Sequence, residues 1–115
     1  MKKKNYKGRC EKVSVSKCKE VCRLYSEIQK KYLRMLEENT EIQEIRCNVL
    51  MDGLEEGAYT SDFVCTKIGN HLMVRECVER KHLTKPLTDK LLDASREYWL
   101  GLGVQDWGIV IDEEK

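Results

Sequence analysis

Two carboxylates stand inside short apolar segments, where acidic residues are uncommon. Asp62 lies in the run 59–64 and Glu76 lies in the run 72–78. Strand alternation places each acid on one face with apolar neighbours. A lone buried carboxylate costs several kcal/mol or changes its pKa. Two such acids on adjacent strands therefore indicate a divalent cation between them, because such cations prefer carboxylate oxygens.

The elements that carry these acids are predicted from the apolar pattern. A first helix is expected from a cap at Ser14 or Ser16 to about Asn39. Its apolar stripe consists of Val21, Tyr25, Ile28, Tyr32, Met35 and Leu36. Strands are expected at 42–51, 58–67 and 72–78, with a tight turn around Gly69-Asn70 between the last two. In the first strand, the residues expected to share a face are Ile45, Cys47 and Val49.

A second helix and a last strand complete the predicted domain. Pro86, the only proline, begins the helix, and Gly101 and Gly103 end it. The helix carries Leu87, Leu91, Leu92, Ser95, Tyr98 and Trp99. As a crossover, it can bring the apolar run 107–111 parallel to a neighbouring strand. The predicted fold is α/β (α+β), with the order αβββαβ and a small mixed sheet flanked by helices.

Length and charge limit the class of protein. The 115 residues suffice for one domain, and we assign 1–13 as a basic flexible arm and 14–115 as that domain. A net charge of +1 excludes a molecule that binds polyanions over its whole surface. No apolar run approaches the roughly 18 residues of a membrane span, and no apolar segment follows Lys2–Lys4. We therefore expect a cytoplasmic protein without a membrane partner.

The six cysteines are expected to be thiols of a reducing compartment. Cys65 and Cys77 lie in apolar strands and are predicted to be core residues. Cys18 and Cys22 would share one face of the first helix. A zinc site there would need further ligands, drawn from Cys10, Cys47 and His71. Because no Cys-x-x-Cys pair is present, buried thiols are favoured over structural zinc.

The order αβββαβ, with acids in its second and third strands, resembles the core of the PD-(D/E)xK restriction-endonuclease-like superfamily. More narrowly, the chain is similar to the N-terminal nuclease domain of TnsA-type endonuclease subunits of heteromeric transposases. Residues 59–63 match the family's Tyr-Thr-Pro-Asp-Phe, and 74–76 match its Val-x-Glu. The run 28–37 is similar to its first helix, and Lys85-Pro86 to the start of its second. The resemblance covers residues 25–112.

This resemblance implies a metal-dependent DNA endonuclease. Asp62 and Glu76 would bind Mg²⁺ or Mn²⁺, which polarises the scissile phosphate and helps to activate water. The family's helix glutamate falls on Gln29, with Glu27 nearby. Its lysine falls on Val78, which cannot donate to a phosphate oxygen or orient a water molecule. Lysines that could take its place are Lys81, Lys85 and Lys90.

A basic segment follows the third strand. It contains Arg80, Lys81, His82 and Lys85. Beside a phosphate-cleaving site these residues would bind the DNA backbone, and elsewhere they would be an ordinary solvated loop. The aromatic residues Tyr98, Trp99 and Trp107 are predicted to be core or interface residues, in preference to base-stacking platforms.

Two functions from different classes follow from these residues. The first is an endonuclease domain of a TnsA-like transposase subunit or related mobile-element protein, which the two retained acids favour. The second is a catalytically degenerate nuclease fold that acts as a DNA-binding or protein-docking module, which Val78 and Gln29 favour. A third, less favoured, is a zinc-stapled regulatory module built on Cys10, Cys18 and Cys22. The implied partners are DNA and a transposase or recombinase subunit, and a homodimer is compatible with the sequence.

Overall fold

The computed structural model describes residues 10–54, 57 and 59–112. The elements are β1 (Glu11–Val13), β2 (Cys22–Leu24), α1 (Glu27–Glu38), β3 (Ile42–Met51), β4 (Tyr59–Lys67), β5 (His71–Val78), a 3₁₀ turn (Arg80–His82), α2 (Pro86–Gly101) and β6 (Asp106–Ile111). Residues 1–9 of the predicted arm lie outside the described residues, whereas its residues 11–13 form β1. No helix in the described part of the chain has the length and apolar character that crossing a membrane requires.

The main sheet has the strand order β3-β4-β5-β6. Strands β3, β4 and β5 pair antiparallel as a meander, and β6 pairs parallel with β5 after the α2 crossover. Gly69 (φ 89°) and Asn70 (φ 64°) form the turn between β4 and β5, in the left-handed region that these residue types tolerate best. The predicted mixed α+β fold, with helices α1 and α2 beside a small mixed sheet, is confirmed.

Two apolar clusters hold the layers together. The cluster at α1 includes Ile28, Leu33, Leu36, Ile45, Phe63, Cys65 and Cys77. The cluster at α2 includes Val64, Val74, Val78, Leu91, Leu92 and Trp99. The predicted burial of Cys65, Cys77 and Trp99 is confirmed by these clusters. Because each cluster belongs to a different helix, the sheet is covered on both faces.

The start of the first helix differs from the prediction. Ser26 caps α1, and its Oγ accepts a hydrogen bond from the Gln29 N–H at 3.3 Å. The predicted caps, Ser14 and Ser16, lie before β2 instead. Residues 22–24 alternate buried, exposed and buried, and they pair with 11–13 as a two-stranded ribbon. This pairing with a distant segment overrides the helical pattern of the sequence.

The buried face of α1 also differs from the predicted stripe. It is centred on Gln29, Leu33 and Leu36, which lie at steps of four and three residues. Met35 is 63% exposed, and Val21 lies before the helix and is 49% exposed. The polar side chain of Gln29 therefore stands at the middle of the face that covers the sheet.

Strand β3 changes its facing at Asn48. This residue has φ 55°, a left-handed value that is uncommon within a strand. Ile45 and Cys47 pack with the α1 cluster, whereas Val49 packs with the α2 cluster. The prediction that Val49 shares their face is therefore wrong, because alternation does not continue through a left-handed residue.

Ser26→Ala is expected to destabilise the fold by about 1 kcal/mol, since it removes the side-chain acceptor for an N–H group of the first helical turn. Ser14→Ala is the matched control, because Ser14 is exposed and lies outside α1. Urea unfolding of both variants measures the difference. Equal midpoints for the two variants would contradict the assigned start of α1.

Candidate active site

The two acids meet where the pairing of β4 with β5 ends. The last paired residues at this end are Phe63 and Arg75, so Asp62 and Glu76 come next. The Asp62 N–H donates to Glu76 Oε1 at 2.9 Å, and the Cys77 N–H donates to Asp62 Oδ2 at 2.7 Å. Side-chain carboxylates thus replace the main-chain carbonyls of a regular ladder. The predicted proximity of Asp62 and Glu76 on adjacent strands is present in the structure.

Helix α1 contacts this pair through Gln29. Its Nε2 donates to Asp62 Oδ1 at 3.0 Å, and its Oε1 accepts from the Tyr25 N–H at 2.6 Å. The Tyr25 N–H fixes the amide orientation, because only the oxygen of the amide can accept. Gln29 therefore presents nitrogen to Asp62. The alternative helix residue, Glu27, has a 79% exposed side chain that pairs with Lys30.

Helix α2 contacts the pair through Ser95. Ser95 Oγ donates to Glu76 Oε2 at 2.5 Å and accepts from Trp107 Nε1 at 3.0 Å. In parallel, Trp99 Nε1 donates to Ser61 Oγ at 2.8 Å. Both tryptophans thus use their single polar atom inside the domain, as expected for core residues.

The acid pair is closed to solvent. Asp62 is 2% exposed and Glu76 is fully buried. Burial, and next the negative charge of Asp62, raise the pKa of Glu76 to about 7. Within the described residues, no lysine or arginine forms an ion pair with Glu76. Arg75 and Arg80, which could have neutralised the acids, instead contact Asp106 and Asp112.

The position where the resemblance implies a lysine is occupied by a core residue. Val78 is 7% exposed and belongs to the α2 cluster. Lys81 lies on the 3₁₀ turn, 3.6 Å from Glu79, with a side chain that is 72% exposed. Lys85 is exposed at the start of α2, and Lys90 lines an open groove beside Gly53. All three lysines are therefore on the surface, and none of them forms an ion pair with Glu76 among the described residues.

The basic turn is held beside the ends of β5 and β6. The Arg80 N–H donates to Asp112 Oδ1 at 2.6 Å, and Arg80 Nε donates to the Asp112 carbonyl at 3.2 Å. The hydrogen bond from the Arg80 main chain also lowers the pKa of Asp112. Arg80, Lys81 and Lys85 are exposed, whereas His82 is half-buried. The exposed basic side chains therefore begin at Arg80, two residues after the end of β5, the strand that carries Glu76.

Sequence reasoning missed part of this network. The sequence indicates only that Ser95 lies in the second helix, and it predicts no role for Ser61 at the site. Their common signal is a small polar residue within an otherwise apolar pattern. The main-chain donors at Asp62 and Cys77 have no such signal, because every non-proline residue has an N–H group.

Three cysteines form a second cluster. The Sγ atoms of Cys18, Cys22 and Cys47 lie within 4.8 Å of one another. Cys18 and Cys22 were expected to share a helix face, but Cys18 lies in a loop and Cys22 begins β2. Cys10 and His71, the other predicted ligands, are not members of this group.

The chain was also compared with known proteins. No protein-family model matches it, and no curated protein is significantly similar to it.

Proposed function

We propose that this chain is a metal-dependent DNA endonuclease domain of the kind found in TnsA-like transposase subunits. The observation that carries the proposal is the buried pair of Asp62 and Glu76 at the point where β4 and β5 separate. Two buried acids repel each other and lose their hydration. Their retention is explained if a cation neutralises them, and an acid with a raised pKa, such as Glu76, is typical of functional sites.

The donor set suits a hard divalent cation. All four carboxylate oxygens accept hydrogen bonds from uncharged donors. Asp62 and Glu76 would hold Mg²⁺ or Mn²⁺, whereas Gln29 orients Asp62 through its amide nitrogen. When bound, the cation polarises a phosphate oxygen and lowers the pKa of a water molecule.

The remaining residues of the proposed site act on DNA. Arg80, Lys81 and Lys85 bind backbone phosphates, a contact that positions DNA without reading its sequence. Lys81 is the preferred substitute for the missing lysine, since its side chain is 72% exposed and it lies on the 3₁₀ turn that follows β5. A transposase or recombinase subunit would then supply the choice of target.

Nicking of supercoiled plasmid tests the proposal. We expect nicking with Mn²⁺ or Mg²⁺, loss with a chelator, and a decrease of about 100-fold or more in Asp62→Ala, which removes a metal ligand. Asp93→Ala is the control, because Asp93 is exposed on α2 and contacts Arg96 of the same helix. Unchanged nicking by Asp62→Ala would identify a contaminating nuclease and contradict the proposal.

The second candidate is a nuclease fold that binds DNA or a protein partner without cleaving. Burial of Val78 among Leu92 and Trp99 favours it, since the motif position then serves packing alone. This candidate predicts a DNA mobility shift without added metal that survives Asp62→Ala and weakens in the double variant Lys81→Glu/Lys85→Glu. Absence of nicking together with that pattern would favour the second candidate over the first.

A further inference from the structure

The cluster of Cys18, Cys22 and Cys47 is independent of the acid pair. Its three sulfur atoms come from a loop, from β2 and from β3, and they lie within 4.8 Å of one another. Cys22 is fully buried, whereas Cys18 and Cys47 are half-buried. Three thiols from separate segments meeting at one point is the arrangement of a thiolate metal site.

Main-chain and side-chain hydrogen bonds hold these segments together. The Ile45 N–H donates to the Lys17 carbonyl at 2.9 Å, and Asn48 Nδ2 donates to the Arg23 carbonyl at 3.0 Å. Lys17 is adjacent to Cys18 and Arg23 is adjacent to Cys22. Their bonding partners in β3 are Ile45, two residues before Cys47, and Asn48, the residue after it. Bonds outside the thiols therefore also hold the three segments together.

A carboxylate oxygen beside the cluster lacks a partner. Glu37 Oε1 accepts from Ser16 Oγ at 2.7 Å, whereas Glu37 Oε2 is buried with no hydrogen-bond partner among the described residues. Ser16, which donates to Glu37, lies two residues before Cys18, so the carboxylate and the cluster belong to the same part of the fold. A buried carboxylate oxygen normally has a partner, so Glu37 Oε2 is available as a ligand for a cation.

We propose that Cys18, Cys22 and Cys47 bind a zinc ion, and that the Glu37 carboxylate, which lies outside the 4.8 Å group of sulfur atoms in this structure, moves to become the fourth ligand. Sulfur atoms of a tetrahedral zinc site are about 3.8 Å apart, since each lies about 2.3 Å from the metal. The observed spacing of at most 4.8 Å needs only a small contraction. The ion would attach the β1–β2 ribbon to β3, which is a structural role.

Metal analysis of the purified, reduced full-length chain tests the proposal. We expect one zinc per chain after dialysis, and a sulfur-to-metal charge-transfer band when cobalt replaces zinc. Cys18→Ser and Cys47→Ser should lose the metal, and Glu37→Gln should weaken it by about 10- to 100-fold. Cys10→Ser is the matched control, because Cys10 is half-buried but outside the cluster. Substoichiometric zinc in the wild type, or equal zinc in Cys47→Ser and the wild type, would overturn the assignment.

Thiol alkylation of the wild-type protein keeps the test independent of variant folding. Zinc should protect Cys18 and Cys47 from alkylation but leave Cys10 reactive, and a chelator should abolish the protection. Equal alkylation of Cys18 and Cys47 with and without zinc would overturn the proposal. A disulfide between two of these cysteines that persists in the presence of a reducing agent would also overturn the proposal, because it would consume two of the ligands.

Discussion

Glu76→Gln is expected to stabilise the metal-free protein by up to about 3 kcal/mol at about pH 8. The folded state raises the pKa of Glu76 from 4.5 to about 7, through burial and the negative charge of Asp62. Glutamine removes the charge and keeps both contacts, since its oxygen can accept from the Asp62 N–H and its nitrogen can donate to Ser95 Oγ, which reverses the direction of the bond from Ser95.

The pH dependence has a definite sign. Below pH 4.5 Glu76 is protonated in both the folded and unfolded states, so its raised pKa does not lower the free energy of unfolding. Between 4.5 and about 7 the folded protein holds a proton that the unfolded chain has lost, and stability falls as the pH rises. Glu76→Gln should remove this fall, so the two proteins should converge in stability at acid pH.

Denaturant unfolding across this pH range, in the presence of a chelator, measures the effect. Mn²⁺ should then raise the stability of the wild type at about pH 8 and leave Glu76→Gln almost unchanged, because the variant lacks one ligand. A variant that is less stable than the wild type at every pH would contradict the electrostatic description of the pair.

Gln29→Glu is expected to destabilise the metal-free protein by about 3–5 kcal/mol. The substitution replaces the Nε2 donor to Asp62 with an acceptor, and it adds a third acid to a buried pair. It also restores the helix glutamate that the nuclease resemblance implies. Mn²⁺ should therefore stabilise this variant more than the wild type, since three carboxylates bind a hard cation more strongly than two.

Thermal unfolding with and without Mn²⁺ measures both parts of this prediction. Gln43→Glu is the matched control, because it makes the same change at an exposed position of β3. We expect little destabilisation and no Mn²⁺ effect from the control. Destabilised Gln29→Glu protein that Mn²⁺ does not rescue would contradict a cation site beside Gln29.

The main sheet was predictable because its signals are local. Gly69-Asn70 marks the hairpin, and the helix that begins at Pro86 marks the crossover to β6. The region 11–24 was not predictable, since strands of three residues are too short to show alternation. Their pairing depends on contacts between segments, which a propensity argument cannot supply.

The sequence predicted the acidic side chains that meet at the site but not the hydrogen bonds that connect them to the rest of the domain. Asp62 and Glu76 followed from acids within apolar strands, and Gln29 followed from the resemblance. Ser95 and the main-chain donors became visible only when α2 was placed against the sheet. The cysteine cluster illustrates the same limit, because Cys47 comes close to Cys22 only where β3 packs beside the β1–β2 ribbon.

A crystal structure of the wild-type protein soaked in Mn²⁺ is the decisive measurement for the proposed cation site. We expect an anomalous difference peak coordinated by carboxylate oxygens of Asp62 and Glu76, with Gln29 still hydrogen-bonded to Asp62. The Lys81 amine should lie nearer to that peak than the Lys90 amine. Absence of a peak at the pair, with Glu76 still bonded to Ser95 and to the Asp62 N–H, would rule out the cation site.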